Sequence, residues 1–106
     1  MQANYFSEHW SDENGNPAGG TSSGKGVCIS WQNGPLAIDG SRREPNGAFV
    51  ETVIAMAIDR IEFYQRSRFA SGYNERAMAY LHAALGELNA RTSDREKRGV
   101  EGTHKE

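Results

Sequence analysis

The chain has 106 residues, a length that suits one small domain with a short appendage. Lys and Arg number 12 against 14 for Asp and Glu, so the formal net charge is -2 and the basic surplus of a general polyanion binder is missing. The single cysteine, Cys28, excludes an internal disulfide and a multi-cysteine zinc site. No apolar run reaches the roughly 18 residues of a membrane span. We therefore expect a small cytosolic protein whose function composition alone does not assign.

The first 23 residues are polar and repeatedly interrupted by glycine. Such a stretch buries too little apolar surface to offset the entropy lost on ordering. It predicts a flexible polar arm over residues 1–23. Tyr5, Phe6 and Trp10 are the exceptions, and they either dock on a neighbouring surface or stay exposed.

Residues 24–45 predict a β-hairpin region. Apolar and polar residues alternate over positions 27–32, the period of a half-buried strand. Asn33-Gly34 is typical of a tight hairpin turn, which places Leu36 and Ile38 on the return strand. Pro35 cannot donate to a ladder, so this return strand should be short or lie at an edge.

Residues 46–106 predict a helical hairpin with a charged tail. Asn46 is a plausible N-cap, and apolar residues then recur at helical spacing as far as Tyr64. Gly72 marks a short link, and a second helix should run from about residue 73 or 74 to about Arg91. A short link favours antiparallel packing of the two helices. Residues 92–106 are expected to be a solvated tail in which Gly99 ends any helix.

The apolar residues exceed what two helices bury against each other. Each helix contributes one stripe to the pair, and small domains already bury a low fraction of their surface. The additional apolar residues are Phe49, Met56, Phe63, Met78 and Tyr80. The fold class is therefore predicted as α+β, with a small N-terminal β-hairpin region packed on a long antiparallel two-helix hairpin, assembled as a homo-oligomer.

The sequence contains no complete catalytic or metal-binding motif. The run from Gly19 to Lys25 resembles a phosphate-binding loop, but Gly26 replaces its Ser or Thr and no helix is expected to follow. The three histidines are far apart in the sequence, and none belongs to a metal-binding motif. We expect no catalytic residue, no metal, no cofactor and no enzymatic activity.

Three clusters have residue types that suit a ligand. Aromatic rings stack on bases, amides read base edges, and guanidinium groups hold phosphates. The first cluster surrounds the helix link and contains Phe63, Tyr64, Arg66, Arg68, Phe69, Tyr73, Asn74 and Arg76. The second lies in the tail, where Arg91, Arg95, Lys97 and Arg98 precede residues 99–103. The third joins residues 31–36 to Arg42 and Arg43. The alternatives are a capped helix turn, a solvated tail and an ordinary hairpin loop.

Helix geometry separates two members of these clusters. Asn74 and Arg91 are 17 residues apart, which corresponds to roughly 26 Å along a helix. They cannot share a small ligand within one chain. If both contact one ligand, the site lies between subunits of an antiparallel dimer.

Four segments together resemble the phage-encoded Thoeris anti-defence proteins of the first type. That family shares its C-terminal helical hairpin with anti-CBASS proteins of the second type. The resemblance covers about residues 24–104. The segments that carry it are 31–36, 44–51, 60–65 and the arginine-rich ending 91–104, which is the most specific.

The resemblance implies a sponge that binds and sequesters cyclic nucleotide immune signals without cleaving them. The implied ligands are glycocyclic ADP-ribose and, at a second site, cyclic trinucleotides. The implied assembly is a dimer or a trimer of dimers in the cytoplasm of the infected bacterial host. The other readings are a protein-docking module built on the helical hairpin and an enzyme that degrades the signal.

By this resemblance, Tyr64 corresponds to the aromatic residue that stacks on a base. Asn74 corresponds to a residue that makes a polar contact, and Arg91 to one that contacts a phosphate. Phe63, Arg68 and Phe69 complete the expected ligand-binding set. The residues expected at the trinucleotide site are Arg95, Arg98, Gly99, Glu101, Gly102 and Thr103.

Overall fold

The computed structural model describes residues 4–38 and 40–105. Its elements are β1 (Tyr5–Ser11), β2 (Pro17–Gly24), β3 (Val27–Trp31), β4 (Ala37–Ile38), β5 (Ser41–Arg42), α1 (Val50–Gln65) and α2 (Gly72–Lys97). The predicted α+β class is confirmed. The chain forms two compact units, one built by the described residues up to Phe49 together with those from Val100 onward, the other by Val50–Gly99.

The first unit contains a three-stranded antiparallel sheet with the order β1-β2-β3. The turn after β1 is held by Asp12, whose Oδ1 accepts hydrogen bonds from the backbone N–H groups of Asn14 (2.9 Å) and Asn16 (3.0 Å). A two-residue turn then brings Gly24 opposite Val27, with Gly26 at φ +80°. This positive φ is easy for glycine and costly for other residues.

The prediction that most of residues 1–23 form a loop or arm is wrong, because β1 and most of β2 lie in this segment. Composition does not report the backbone pairing that β2 makes on both of its sides. Side chains add to this pairing. Ser22 Oγ lies 2.8 Å from Ser7 Oγ and accepts a 2.8 Å hydrogen bond from Trp31 Nε1. A hydroxyl-rich strand is thus stabilised by its neighbours rather than by an apolar face.

The Asn33-Gly34 hairpin is also a wrong prediction. β3 pairs with β2, while β4 pairs with β5 through Ala37↔Arg42 and Ile38↔Ser41. Two strand partners compete for β3, and the longer β2 provides more backbone hydrogen bonds than the two-residue β4 could.

Asn33 and Asn46 instead join two loops. Asn46 Oδ1 accepts from Asn33 N, and Asn46 Nδ2 donates to Asn33 O, both at 2.8 Å. Asn46 therefore does not cap α1, which begins four residues later at Val50. Next to Asn46, Gly47 passes so close to Trp31 that an added Cβ would lie 2.5 Å from the Trp31 carbonyl carbon.

The second unit is the predicted helical hairpin. α1 and α2 pack against each other within it, and the short link makes them antiparallel. Ile58 of α1 is buried, whereas α2 has no fully buried residue. α2 continues to Lys97, six residues beyond the predicted end. Its last turns are rich in helix-forming charged residues, and Arg98 Nε donates to Asp94 Oδ2 one turn earlier (3.1 Å).

The residues after α2 return to the first unit, which corrects the prediction of a wholly solvated tail. Arg42 forms a two-contact ion pair with Glu101, and Ala37 N donates to Gly102 O at 2.9 Å. Gly102 has φ +78°, and a Cβ there would lie 3.2 Å from Leu36 Cβ. Leu36 is the buried apolar side chain of this unit among the described residues. Gly99, at φ +72°, follows the end of α2 as predicted.

Neither α1 nor α2 combines the length and apolar character that a membrane-spanning helix needs. Self-association and the predicted domain boundaries stay predictions.

Candidate functional site

Gln65 fixes the link between α1 and α2. Its Oε1 accepts hydrogen bonds from Ser71 N (2.8 Å) and Asn74 Nδ2 (3.0 Å), and its Nε2 donates to Ser71 O (3.1 Å). Ser71 is the N-cap of α2, and its Oγ accepts from Asn74 N at 3.1 Å. The predicted capped turn is therefore present, and the side chain of Asn74 is held inside it.

Phe63 and Tyr64 present two partly exposed rings at the end of α1. Their centroids are 6.0 Å apart and their planes are inclined by 57°. The guanidinium carbon of Arg60 lies 4.8 Å from the Phe63 centroid and 4.9 Å from the Tyr64 centroid. Arg60 Nε also donates to the Tyr64 hydroxyl at 3.2 Å. One arginine thus orients both rings through cation–π contacts and a hydrogen bond.

Two further arginines lie against rings in the link and at the start of α2. Arg68 stands 4.8 Å from the Phe69 centroid, and Arg76 stands 5.0 Å from the Tyr73 centroid. Phe69 is 65% exposed and Tyr73 is 80% exposed. The rings therefore do not pack the link, although its hydrogen bonds match a capped turn. They form an open surface of paired rings and guanidinium groups, called here the link surface: Arg60, Phe63, Tyr64, Arg68, Phe69, Tyr73, Asn74 and Arg76.

The link surface suits a nucleotide-like anion. An exposed ring offers a π-face to a base, and a guanidinium held against a ring keeps its planar donors set for phosphate oxygens. Asn74 Nδ2 is occupied by Gln65 and by a longer contact of 3.4 Å to Phe69 O. The Oδ1 atom of Asn74 is therefore the one suited to contact a ligand. It would accept a hydrogen bond from a donor such as the exocyclic amine of adenine.

Five of the six predicted ligand-binding residues meet at this link: Phe63, Tyr64, Arg68, Phe69 and Asn74. Arg91 does not join them. It is exposed on the same continuous helix as Asn74, which places it roughly 26 Å along the axis. Nothing among the described residues forms a hydrogen bond or an ion pair with the Arg91 guanidinium.

The structure divides the predicted trinucleotide residues between the two units. Arg95, Arg98 and Gly99 lie at the end of α2, while Glu101, Gly102 and Thr103 belong to the first unit. The Glu101 carboxylate already contacts Arg42. Thr103 Oγ1 donates to Val100 O at 2.6 Å, so both side chains have structural roles within the first unit.

The third predicted cluster is a set of loop contacts. Gln32 Oε1 accepts from Asn46 N at 2.9 Å, and Asn33 Oδ1 accepts from Gly19 N at 3.1 Å. These bonds match the alternative interpretation of an ordinary polar loop. The described residues also contain no group of three or more His, Cys, Asp or Glu side chains placed to hold a metal ion.

Two residues of the site were missed by the sequence interpretation. The sequence interpretation gives neither Arg60 nor Gln65 a role of its own. The signal for Arg60 is its spacing, because residues three and four apart on a helix are neighbours and Phe63 and Tyr64 stand at those offsets. No comparable signal marks Gln65, whose partners lie across a turn.

Together these features define a small α+β protein whose helical hairpin carries an arginine–aromatic surface. No family model matches the chain. It is 43% identical over 81 residues to "Thoeris anti-defense 1" of Bacillus phage SBSphiJ7, a match that covers 76% of this chain and 54% of that relative. The chain thus spans about half the length of the relative. The identity supports the resemblance to the Thoeris anti-defence family, and the relationship to anti-CBASS proteins stays a prediction.

Proposed function

We propose that this chain counters Thoeris defence by binding glycocyclic ADP-ribose and sequestering it without cleavage. The observation that carries the proposal is the link surface, where three arginines lie within 5.0 Å of exposed rings over positions 60–76. The identity to a phage protein named for anti-defence against Thoeris supports the biological role.

A base of the ligand stacks on the ring of Tyr64 or Phe63, and Asn74 Oδ1 accepts from its edge. Arg68 lies in the same link and supplies planar donors to a phosphate oxygen. Because Arg60 already orients both stacking rings, less side-chain entropy is lost when the ligand binds.

Arg91 enters this proposal through a second chain. Its distance from Asn74 along α2 excludes a shared small ligand within one protomer. In an antiparallel dimer the Arg91 end of one α2 approaches the Tyr64 and Asn74 end of the partner. The diphosphate then lies between subunits, where water is excluded and charge-assisted hydrogen bonds are strongest.

A cyclic trinucleotide is proposed for a second site at the end of α2. Arg95 and Arg98 provide positive charge there, and Gly99 provides close access to the backbone. Glu101, Gly102 and Thr103, which the resemblance assigns to the same ligand, belong to the first unit, where Glu101 contacts Arg42 and Gly102 passes close to Leu36.

Isothermal titration calorimetry tests the proposal directly. A sponge must out-compete the receptor, and nanomolar affinity corresponds to about -12 kcal/mol of binding free energy. We expect saturable heat with glycocyclic ADP-ribose and a much weaker response to AMP. Tyr64→Ala should lower the affinity, whereas Tyr5→Ala, which removes an exposed tyrosine from the first unit, should not. Absence of heat at high concentrations of the ligand would contradict the proposal.

A second candidate function is a docking module built on the helical hairpin. It is favoured by exposed apolar side chains on α1, Val50, Met56 and Phe63, together with exposed Tyr80 on α2. Docking requires no small ligand, so the calorimetric experiment separates the two functions. An enzyme that degrades the signal is separated by its product, because only an enzyme converts the ligand.

A further inference from the structure

Strand β1 forms one edge of the three-stranded sheet and carries large exposed aromatic residues. Tyr5 is 75% exposed, Phe6 67% and Trp10 45%. Proteins usually protect a long edge strand with proline, charge or a covering element, because its unpaired backbone groups attract another strand. The regular part of β1, residues 5–9, carries one charged residue, Glu8, beside the exposed Tyr5 and Phe6, and its outward backbone groups are open to another strand.

The hydrogen-bond pattern shows which backbone groups of β1 face outward. The two-residue turn makes Gly24 and Val27 a hydrogen-bonded pair, so the neighbouring Ser23 directs its backbone groups toward β1. Ser23 stands opposite Phe6. By alternation the N–H and C=O groups of Tyr5, Ser7 and His9 point away from the sheet.

The opposite edge of the sheet shows how such groups are satisfied. On β3, Ser30 O accepts from Ala48 N at 2.8 Å, and the adjoining Gln32 N donates to Ala48 O at 3.0 Å. No corresponding partner for the outer side of β1 is found within residues 4–38 and 40–105. The β3 edge is thus paired at its end through Ser30 and Gln32, whereas the outward groups of β1 have no such partner among these residues.

We propose that the outer edge of β1 pairs antiparallel with β1 of a second copy of this chain, about a twofold axis at Ser7. A β-bulge between His9 and Ser11 limits the regular part of the strand to residues 5–9, and Ser7 is the midpoint of that stretch. This register sets Tyr5 opposite the partner's His9 and Phe6 opposite the partner's Glu8. The two three-stranded sheets become one continuous sheet of six strands.

Charge and shape favour this register. A pairing centred on Glu8 would place two carboxylates directly opposite each other, which destabilises a strand pair. The face of the sheet that carries Tyr5 and Ser7 also has a groove of about 380 Å³, lined on its other side by Ser22, Lys25 and Val27. The groove offers space for side chains of the added strand, which is how strand addition gains specificity.

Disulfide trapping tests the pairing. In the Cys28→Ser background, which removes the exposed native thiol, Ser7→Cys places two thiols on the twofold axis. Their Cα atoms would be about 5.5 Å apart, within disulfide range. Glu8→Cys in the same background is the matched control, since this register separates its Cα atoms by about 8 Å.

We expect covalent dimer to form at least tenfold faster under mild oxidation with Ser7→Cys than with Glu8→Cys. Equal rates, or faster trapping through position 8, would overturn the proposed register. If neither variant is trapped, the proposal that a second copy of this chain pairs with β1 is wrong. A strand of another protein would then be the candidate partner for this edge. Association through the helices alone would give the same negative result.

Proline provides a second test that does not need a disulfide. Ser7→Pro removes an outward N–H without removing a bond between β1 and β2, and Ser7→Ala removes the hydroxyl but keeps the N–H. Neither variant can form the Ser7–Ser22 hydroxyl contact. A difference between the two variants therefore reports the effect of the outward N–H group of residue 7. Sedimentation velocity should show self-association through β1 in the alanine variant and its loss in the proline variant. A proline variant with unchanged circular dichroism and the same assembly size as the alanine variant would contradict the pairing.

Discussion

Gln65 and Asn74 are joined by a 3.0 Å hydrogen bond from Asn74 Nδ2 to Gln65 Oε1, which links the last residue of α1 to the first turn of α2. The same oxygen accepts from Ser71 N, so one side chain positions both the helix cap and the amide of the candidate site. We therefore expect stability and the proposed ligand binding to be coupled at this link.

Gln65→Ala should affect both properties. It leaves Ser71 N and Asn74 Nδ2 without their acceptor, and such a loss typically costs about 1–3 kcal/mol. We expect a lower urea midpoint and a several-fold weaker affinity for glycocyclic ADP-ribose. Glu62→Ala, at an exposed position of the same helix, is the control and should change stability by no more than about 0.5 kcal/mol. An unchanged affinity in the Gln65 variant would remove Asn74 from the site.

Arg60→Ala should weaken ligand binding through ring orientation. Exposed cation–π contacts contribute about 0.5–1 kcal/mol each, and Arg60 makes two of them. A loss of roughly threefold to thirtyfold in affinity is expected. Arg66→Ala removes the same charge just after the end of α1, where no ring contact is found among the described residues, and calorimetry should show a smaller loss. Equal losses would indicate that only net charge matters.

Arg91→Ala tests whether the ligand lies between subunits. We expect affinity to fall by about tenfold to a hundredfold, the range of a charge-assisted hydrogen bond, while sedimentation shows unchanged assembly. Lys97→Ala removes a positive charge from an exposed position six residues further along α2 and should have little effect on this ligand. Full affinity in the Arg91 variant would exclude that residue from the site.

The loop at Asp12 gives a pH dependence. Hydrogen bonds from the Asn16 and Asn14 N–H groups, together with nearby His104, lower the pKa of the Asp12 carboxyl below its usual 3.8. The ionised carboxylate therefore stabilises the fold above that usual value, and this contribution is lost as pH falls through the lowered pKa. Asp12→Asn should reduce the urea midpoint at pH 7, and the difference should shrink as pH falls below the usual pKa of 3.8. Glu13→Gln is the charge-matched control. A difference that stays constant as pH falls well below that value would show that charge is not the cause.

Two glycines should respond to alanine in opposite directions. At Gly47 the new Cβ would meet the Trp31 backbone at 2.5 Å, so Gly47→Ala should destabilise the first unit. Gly86 lies within α2 with no atom within 4 Å of an added Cβ, and Gly86→Ala should stabilise the helix by about 0.5–1 kcal/mol. Thermal unfolding of the two variants gives the comparison. A Gly47 variant as stable as the unchanged chain would contradict the close approach.

The helices could be predicted from the sequence because their periodicity is local. Apolar spacing located α1 and the start of α2, and Gly99 set the limit that α2 does not pass, although the predicted end at Arg91 was six residues short. Strand partners could not be predicted in this way. Asn33-Gly34 has the composition of a hairpin turn, yet β3 pairs with β2, because pairing depends on the total hydrogen bonds of competing strands.

The same distinction between local and long-range features applies to the candidate site. Tyr64 and Asn74 follow from a helix end and a short link, so the sequence could place them together. The contacts that orient them, from Arg60 and Gln65, depend on side-chain geometry across the link. The tail contact between Glu101 and Arg42 joins positions 59 residues apart, and no local pattern predicts it.

Recovery of the intact signal tests the central claim most directly. The protein is incubated with an equimolar amount of glycocyclic ADP-ribose, filtered to remove free ligand, and heated to release what it holds. The account predicts that the filtrate is depleted and that the heated fraction returns the ligand chemically unchanged in stoichiometric amount. Ligand that stays in the filtrate, or a converted product in the heated fraction, would contradict it.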